Sequence, residues 1–234
     1  MKHEHTRNNT SFDLPIAGVD DRYYTMPMLL KAFRSATIRD PNTAVKMGRE
    51  MVASRYVPGE IAYARFLRTG AGISISHTVR FRTAEMILRH LDRILDIPPE
   101  LEAEVAMELA ELYEVKRPVG ALAALLRAHR LGAEIPTERL ERCRKAVLRT
   151  VDVNHLGDDP EDAYALAVEL DRLGNTPEFT EVFYKLAYEE SGSNKLLKGV
   201  AALDLAEFYE RNQPRSSSVF YRAAREYGFP DVVI

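Results

Sequence analysis

The side chains that could carry chemistry are few and widely separated along the chain. The six histidines are His3, His5, His77, His90, His129 and His155. Only the first two are spaced closely enough to share a metal ion; they could chelate one adventitiously, but a flexible tail is the better interpretation. The sequence also lacks the spacings typical of zinc proteases, serine hydrolases, nucleotide-binding loops and dithiol redox sites. It therefore predicts a non-enzymatic protein with no catalytic residue, no resident metal and no cofactor.

Two further groups could react, and a structural role is the better interpretation of both. Cys143 is the only cysteine and lies on the apolar stripe of its predicted helix, which indicates a buried thiol rather than an exposed nucleophile. The acidic run of Asp158, Asp159, Glu161 and Asp162 could form a metal site or a general acid–base pair. It also lies at a predicted helix start, where the helix dipole stabilises carboxylates. Its position at a helix start therefore predicts a structural role for the acidic run.

Charge is distributed unevenly along the chain. The net charge of −3 predicts no dominant attraction to nucleic acid or to anionic lipid. Residues 116–149 nevertheless hold nine Lys or Arg against three Glu, whereas residues 158–210 hold thirteen acids against four bases. The two regions therefore have opposite signs, and head-to-tail self-association is one consequence to consider.

Within the basic region, Arg142, Lys145 and Arg149 project from the polar side of one predicted helix. A solvated helix face is the default interpretation of such a pattern. The functional alternative is a docking patch for an acidic partner or for nucleic acid. The acidic overall charge and the lack of interleaved aromatic residues tell against nucleic acid.

Helices must position these groups, because apolar residues recur at helical spacing through most of the chain. Residues 99–132 give the pattern most plainly: one apolar stripe runs through the first half, Pro118 opens the second half, and Gly132 ends it. The residues of the stripe are Leu101, Val105, Leu109, Leu112 and Tyr113. Two helices joined by a short link must fold back on each other. A lone pair cannot bury both apolar faces, so further pairs are expected to stack on it.

The same spacing predicts helices along the rest of the chain. Their expected extents are about 23–36, 60–68, 78–95 and 137–151, and further helices open at Pro41, Pro160, Pro177 and Pro214. Asp40, Asp159 and Thr176 precede three of these prolines and are predicted N-caps. Only the short segment 73–76 alternates like a strand, so the chain is predicted to be all-α.

Four stretches resemble the Sel1-like branch of the tetratricopeptide-type (TPR-like) repeats. In GEIAYARFLRTGAGI the matching residues are Tyr63, Ala64, Leu67, Gly70, Gly72 and Ile73. The chain is similar again at Leu109, Ala110 and Tyr113 with Ala128 and Gly132, at Leu205, Ala206 and Tyr209 with Ala223, Ala224 and Gly228, and at Leu166, Ala167 and Leu170. The resemblance implies an α-α superhelix, or solenoid, of stacked antiparallel helix pairs. The matched leucine positions are 46, 57 and 39 residues apart, against a family period in the mid-thirties, so the array is irregular and a non-repetitive helical bundle stays open.

The expected organisation is a flexible N-terminal arm, residues 1–21, followed by one helical repeat domain, residues 22–234. The resemblance implies a scaffold or adaptor that binds a protein or peptide on the concave face of the array. Tyrosines are suitable anchors because they bring a large contact area with little rotamer entropy. The candidate partner-binding residues are Tyr23, Tyr24, Tyr56, Arg142, Lys145 and Arg149.

Several alternatives remain at this stage. An all-α enzyme could assemble a site through the fold, and a regulator could bind nucleic acid through the helix at 139–149. The arm, with Phe12, Leu14 and Ile16, could itself occupy a groove as an internal ligand. No apolar run approaches the roughly 20 residues of a membrane span. The sequence therefore predicts a cytoplasmic protein, or a periplasmic one if a leader has been removed.

Overall fold

Eleven α-helices account for most of the residues that the computed structural model describes, which are 25–70, 72–94, 96–151, 159–174 and 176–229. In chain order they are α1 (Met26–Arg39), α2 (Pro41–Ala53), α3 (Val57–Thr69), α4 (His77–Asp92), α5 (Pro99–Tyr113), α6 (Pro118–Arg130), α7 (Thr137–Val151), α8 (Pro160–Leu173), α9 (Pro177–Glu190), α10 (Lys195–Asn212) and α11 (Pro214–Glu226). These ranges contain no strand, and within 73–76 the residues Ser74 and Ile75 form bends. The all-α prediction is confirmed for them. The predicted arm and the predicted loop 152–158 lie outside the described residues.

Local sequence signals start two of the helices as predicted. The side chains of Asp40 and Asp159 accept hydrogen bonds from the backbone N–H groups of Thr43 and Glu161, each at 3.2 Å. Each carboxylate thereby satisfies one of the N–H groups that a helix start leaves without an intrahelical partner. Thr176 is also the N-cap residue of α9, as predicted, but its side chain makes no capping hydrogen bond.

Boundaries of three helices differ from the prediction. Helix α1 runs from Met26 to Arg39 rather than over about 23–36. Helix α3 begins at Val57 rather than at Glu60, since Pro58 sits in the first turn, where its missing N–H has no intrahelical acceptor to lose. Helix α4 ends at Asp92 rather than at residue 95, because the N–H of Arg93 already bonds to a carbonyl only three residues back.

The helices pack as consecutive pairs. Within the described residues, the pairs are α1–α2, α3–α4, α5–α6, α8–α9 and α10–α11. The second helix of each pair packs on the first helix of the next, through the contacts α2–α3, α4–α5, α6–α8 and α9–α10. Helix α7 stands outside this order and packs on α6. The chain is therefore a row of helix pairs, and the additional helix α7 follows the third pair in sequence without separating it from the fourth in space.

Fully buried alanines allow the pairs to approach one another. Ala64, Ala110, Ala167 and Ala206 have no exposed surface, and they lie on α3, α5, α8 and α10. Each is thus on the first helix of a pair. A small side chain at such a contact lets the neighbouring helix come close, while the larger residues around it fill the remaining space.

The sequence pattern of the pair α5–α6 is repeated in the pair α10–α11, 96 residues later; Leu109, for example, corresponds to Leu205. The other matched pairs include Tyr113 and Tyr209, Pro118 and Pro214, and Gly132 and Gly228. The two glycines share a left-handed backbone, with φ of 95° and 99°. The surfaces differ, because residues 119–126 of α6 are all buried whereas Ser218 and Val219 of α11 are exposed. Helix α6 is thus covered on its outer side, and α11 faces solvent.

Candidate functional site

A cleft of about 400 Å³ lies between α4, α5, α6 and α8. We call it the central cleft. Its floor consists of small or aliphatic residues, Ala106, Leu109, Gly120, Ala123 and Ala124. All of these are buried beneath the cleft surface. The remaining wall is formed by α8, with exposed Ala165 beside half-buried Tyr164 and Val168. Small floor residues bring the helix backbones close to any ligand in the cleft.

The rim of the central cleft carries charges that are paired with one another. On one side, the guanidinium of Arg93 lies 3.0 Å from Glu161. On the other side, that of Arg172 lies 2.9 Å from Glu169. The side chains of Arg93 and Arg172 are 67% and 53% exposed, so solvent or a ligand can reach both. The rim is electrically balanced and offers both signs of charge to a ligand.

At one end of the cleft, a set of buried and half-buried polar groups joins α8 to the preceding helices. We call Glu85, Arg89, Tyr113, Arg117, Asp159 and Asp162 the seam cluster. Arg117 spans it, with Nη1 at 2.6 Å from Glu85 and Nη2 at 2.6 Å from Asp162. Arg89 Nη2 lies 3.1 Å from Asp159. Both guanidinium groups also lie over the Tyr113 ring, 4.5 Å (Arg117) and 5.9 Å (Arg89) from its centroid.

Tyr113 completes the network through its hydroxyl. It accepts a hydrogen bond from Arg89 Nε at 2.8 Å and donates one to Glu85 at 3.1 Å. In the predicted acidic run, Asp159 and Asp162 thus form ion pairs with arginines from α4 and from the α5–α6 link. Glu161 pairs with Arg93. Asp158 lies outside the described residues. Among the described residues, no group of three or more His, Cys, Asp or Glu is arranged to hold a metal ion.

Asp162 is the most perturbed carboxyl in the seam cluster. Burial raises its pKa to about 7, although the nearby Arg117 and Arg89 act to lower it. Its Oδ2 contacts Arg117 without the direction of a good hydrogen bond, so this contact is mainly ionic. A Cβ placed on Gly120 would lie only 2.5 Å from the same oxygen. The glycine therefore makes room for the carboxylate between α6 and α8.

Asp159 shows the opposite shift in the same environment. Burial alone would raise its pKa, but hydrogen bonds from the Glu161 N–H and from Arg89 outweigh this and lower it. Two neighbouring carboxyl groups thus have pKa values shifted in opposite directions. The cause is that Asp159 is hydrogen-bonded as a cap, whereas Asp162 is desolvated between two helices.

A second polar unit matches part of the seam cluster at the 96-residue offset. The Tyr209 hydroxyl lies 2.6 Å from Glu181, whose carboxylate pairs with Lys185 at 2.6 Å. Lys185 Nζ lies 5.8 Å from the centroid of the Tyr209 ring. These groups correspond to Tyr113, Glu85 and Arg89. The sequence analysis predicted neither the seam cluster nor this second unit. A signal was present, because α4 and α9 each carry a Glu followed four residues later by a Lys or Arg.

The predicted basic residues lie together along α7. Arg142, Lys145 and Arg149 line a shallow depression with residues of the same helix, and all three are exposed. Arg142 is held by Glu114, to which its Nε donates at 3.0 Å. Lys145 and Arg149 pair with no carboxylate among the described residues. The cationic surface that α7 offers is therefore smaller than the sequence indicates.

The other predicted candidates are three tyrosines and the single cysteine. Tyr56 is half-buried, directly precedes α3 and packs against the core. Tyr23 and Tyr24 lie outside the described residues. Cys143 is buried, as predicted, with 3% of its surface exposed, and burial raises the pKa of its thiol. A protonated, covered thiol is a poor nucleophile.

Comparisons with other proteins do not assign the chain to a family. It matches no protein-family model, no curated protein and no solved structure. The resemblance to Sel1-like repeats therefore stays a prediction. The described helices include none that is both long enough and apolar enough to cross a bilayer.

Proposed function

We propose that this protein is a non-enzymatic adaptor of Sel1-like or TPR-like helix pairs that binds an extended peptide segment of a partner protein. The single observation that carries the proposal is the central cleft, in which a floor of small residues is bordered by accessible ion pairs. Its volume of about 400 Å³ is within the range of ligand-binding clefts. Aliphatic side chains of a peptide would contact the floor. Its charged groups would exchange partners with the rim pairs.

The arrangement of helix pairs supports a repeat array. The four stretches that resemble Sel1-like repeats fall on α3, α5, α8 and α10, which are the first helices of successive pairs. Arrays of this kind present extended surfaces on which peptides bind.

Asp162 favours a second candidate function, general acid–base catalysis, because it lines the cleft with a pKa raised to about 7. The geometry argues against it. The Asp162 side chain is only 9% exposed, and its carboxylate faces Arg117 and Gly120. A substrate could reach it only if α6 and α8 separated. A structural tie between those helices is the simpler role.

The proposal can be tested by selecting peptides from a displayed random library on the full-length protein. Ala165→Trp would place a large ring in the cleft from an exposed position on α8, so the core stays undisturbed. Ala53→Trp, at an exposed position at the end of α2, is the matched control. We expect selected peptides to bind the natural chain and Ala53→Trp equally, and to lose at least about tenfold in affinity, roughly 1.4 kcal/mol, with Ala165→Trp.

Two results would contradict the proposal. One is a selection that enriches no peptide. The other is a set of peptides whose affinity is the same for Ala165→Trp and Ala53→Trp, because the binding site would then lie elsewhere. Circular dichroism of both variants checks that the helices are intact.

A further inference from the structure

Helix α4 borders a second, mainly apolar groove, whose lining shares no residue with that of the central cleft. It has a volume of about 320 Å³ and lies between α2, α3 and α4. We call it the α4 groove. Its apolar lining consists of Val52, Tyr63, Leu67, Ile75, Val79, Met86 and Ile87. Val79 and Met86 are 53% and 66% exposed, and they lie seven residues apart on one face of α4. Large apolar side chains exposed beside an apolar groove indicate a docking surface.

The cations of the α4 groove have no acidic partner among the described residues. Arg49 lies beside the Tyr63 hydroxyl. Arg80 donates to the backbone carbonyls of Ile75 and Leu67, at 3.1 and 3.3 Å. Neither guanidinium pairs with a carboxylate there. The groove is therefore apolar with uncompensated positive charge at its border, and it fits a segment that combines apolar and acidic side chains.

The chain contains such a segment. Residues 11–21, SFDLPIAGVDD, have Phe12, Leu14 and Ile16 at alternate positions, three Asp and no Lys or Arg. The region that would receive it, residues 25–93, holds twelve Lys or Arg against five acids. In an extended chain, alternate side chains point to the same side. The three apolar groups can thus face the groove together.

We propose that the apolar residues of segment 11–21 bind in the α4 groove of the same chain, with its aspartates towards Arg49 and Arg80. The ten residues from Ile16 to Met26 can span up to about 33 Å. Helix α1, which begins at Met26, packs on α2 and α3, and both supply residues of the groove. Since α2 and α3 have 13 residues each, about 20 Å in length, the groove is within reach. Tethering gives the segment an effective concentration in the millimolar range.

A single tryptophan can report this contact in the full-length protein, because the natural chain has none. In Phe12→Trp we expect blue-shifted emission and acrylamide quenching several-fold weaker than for the same chain in urea. Adding Met86→Glu places a negative charge in the groove, and this should shift the emission to the red and restore the quenching. Leu196→Glu, at a residue 70% exposed on α10, is the matched control and should change neither signal. Ile16→Trp provides a second reporter, and circular dichroism verifies that each variant is folded.

Three outcomes would overturn the proposal. Both reporters could give the emission of fully solvated tryptophan in the otherwise natural chain. A blue shift could persist with Met86→Glu, which would place the segment on another surface. A blue shift could also vanish on dilution, which would assign the groove to a second copy of the chain. The α4 groove and the central cleft are separate, so any of these results leaves the peptide-binding proposal unaffected.

Discussion

Gly120→Ala tests whether the close approach of α6 and α8 is as tight as the structure indicates. The added methyl group would lie 2.5 Å from Asp162 Oδ2 and 2.7 Å from its Cγ, so either the helices separate or the carboxylate leaves Arg117. Overpacking costs about 1–3 kcal/mol, whereas alanine is more favourable than glycine in a helix by about 1 kcal/mol. Because 2.5 Å is well inside van der Waals contact, the overpacking cost should lie in the upper part of this range, about 2–3 kcal/mol, which leaves a net loss of about 1–2 kcal/mol in the free energy of unfolding. For a chain of this length, the melting temperature should fall by about 2–8 °C.

Urea denaturation followed by circular dichroism measures this change. Ser216→Ala is the matched control, because Ser216 occupies the position equivalent to Gly120 in α11. It should alter stability by no more than about 0.5 kcal/mol. In a double-mutant cycle, Asp162→Ala removes the atoms that the new methyl group meets, so the two substitutions should be less harmful together than their sum. If Gly120→Ala proves as stable as the natural chain or more stable, the proposed close approach is refuted.

Three further predictions concern single side chains. Burial raises the pKa of Asp162 to about 7, against about 4 in an unfolded chain, so the folded state holds a proton that the unfolded state releases. The contribution of Asp162 to the free energy of unfolding should be full below pH 4 and lost as the pH rises through 7. Urea denaturation of Asp162→Asn at a series of pH values should lack this loss. The same dependence of unfolding free energy on pH in both proteins would contradict the prediction. Tyr113→Phe should lower the free energy of unfolding by about 1–2 kcal/mol, because the Tyr113 hydroxyl bonds to two charged groups of the seam cluster. Tyr209→Phe should lower it by about 0.5–1 kcal/mol. A larger loss for Tyr209→Phe in urea denaturation would contradict the prediction. The Cys143 thiol should react with a chromogenic disulfide much more slowly in the native protein than in urea, and equal rates would show that it is accessible.

The helices could be predicted from sequence because their signals are local. Asp40 and Asp159 cap the helices that follow them, within three residues along the chain. The burial of Cys143 also followed from its place on one helix face. Boundaries were less certain, since a proline such as Pro58 is compatible with several positions in a first turn.

The candidate site could not be predicted in the same way, because it joins residues that are distant in sequence. Arg89 and Asp159 are 70 residues apart, and no local pattern pairs them. The acidic run predicts a helix start, which holds for Asp159, but the position of Asp162 between two helices depends on how α8 packs on α6. The sequence places Arg142 on a polar helix face, but its partner Glu114 lies 28 residues earlier, beyond another helix.

The position of α7 has a mechanical consequence. Since α7 packs on α6 and is not interposed between pairs, helix packing between the first three pairs and the last two runs through α6 against α8. Gly120 lies at this contact, and Arg89 of α4 and Arg117 of the α5–α6 link form ion pairs across it with Asp159 and Asp162. A change in the angle between α6 and α8 would widen or narrow the central cleft, which α4 and α8 both line, so the proposed peptide site depends on how the first three pairs are oriented relative to the last two.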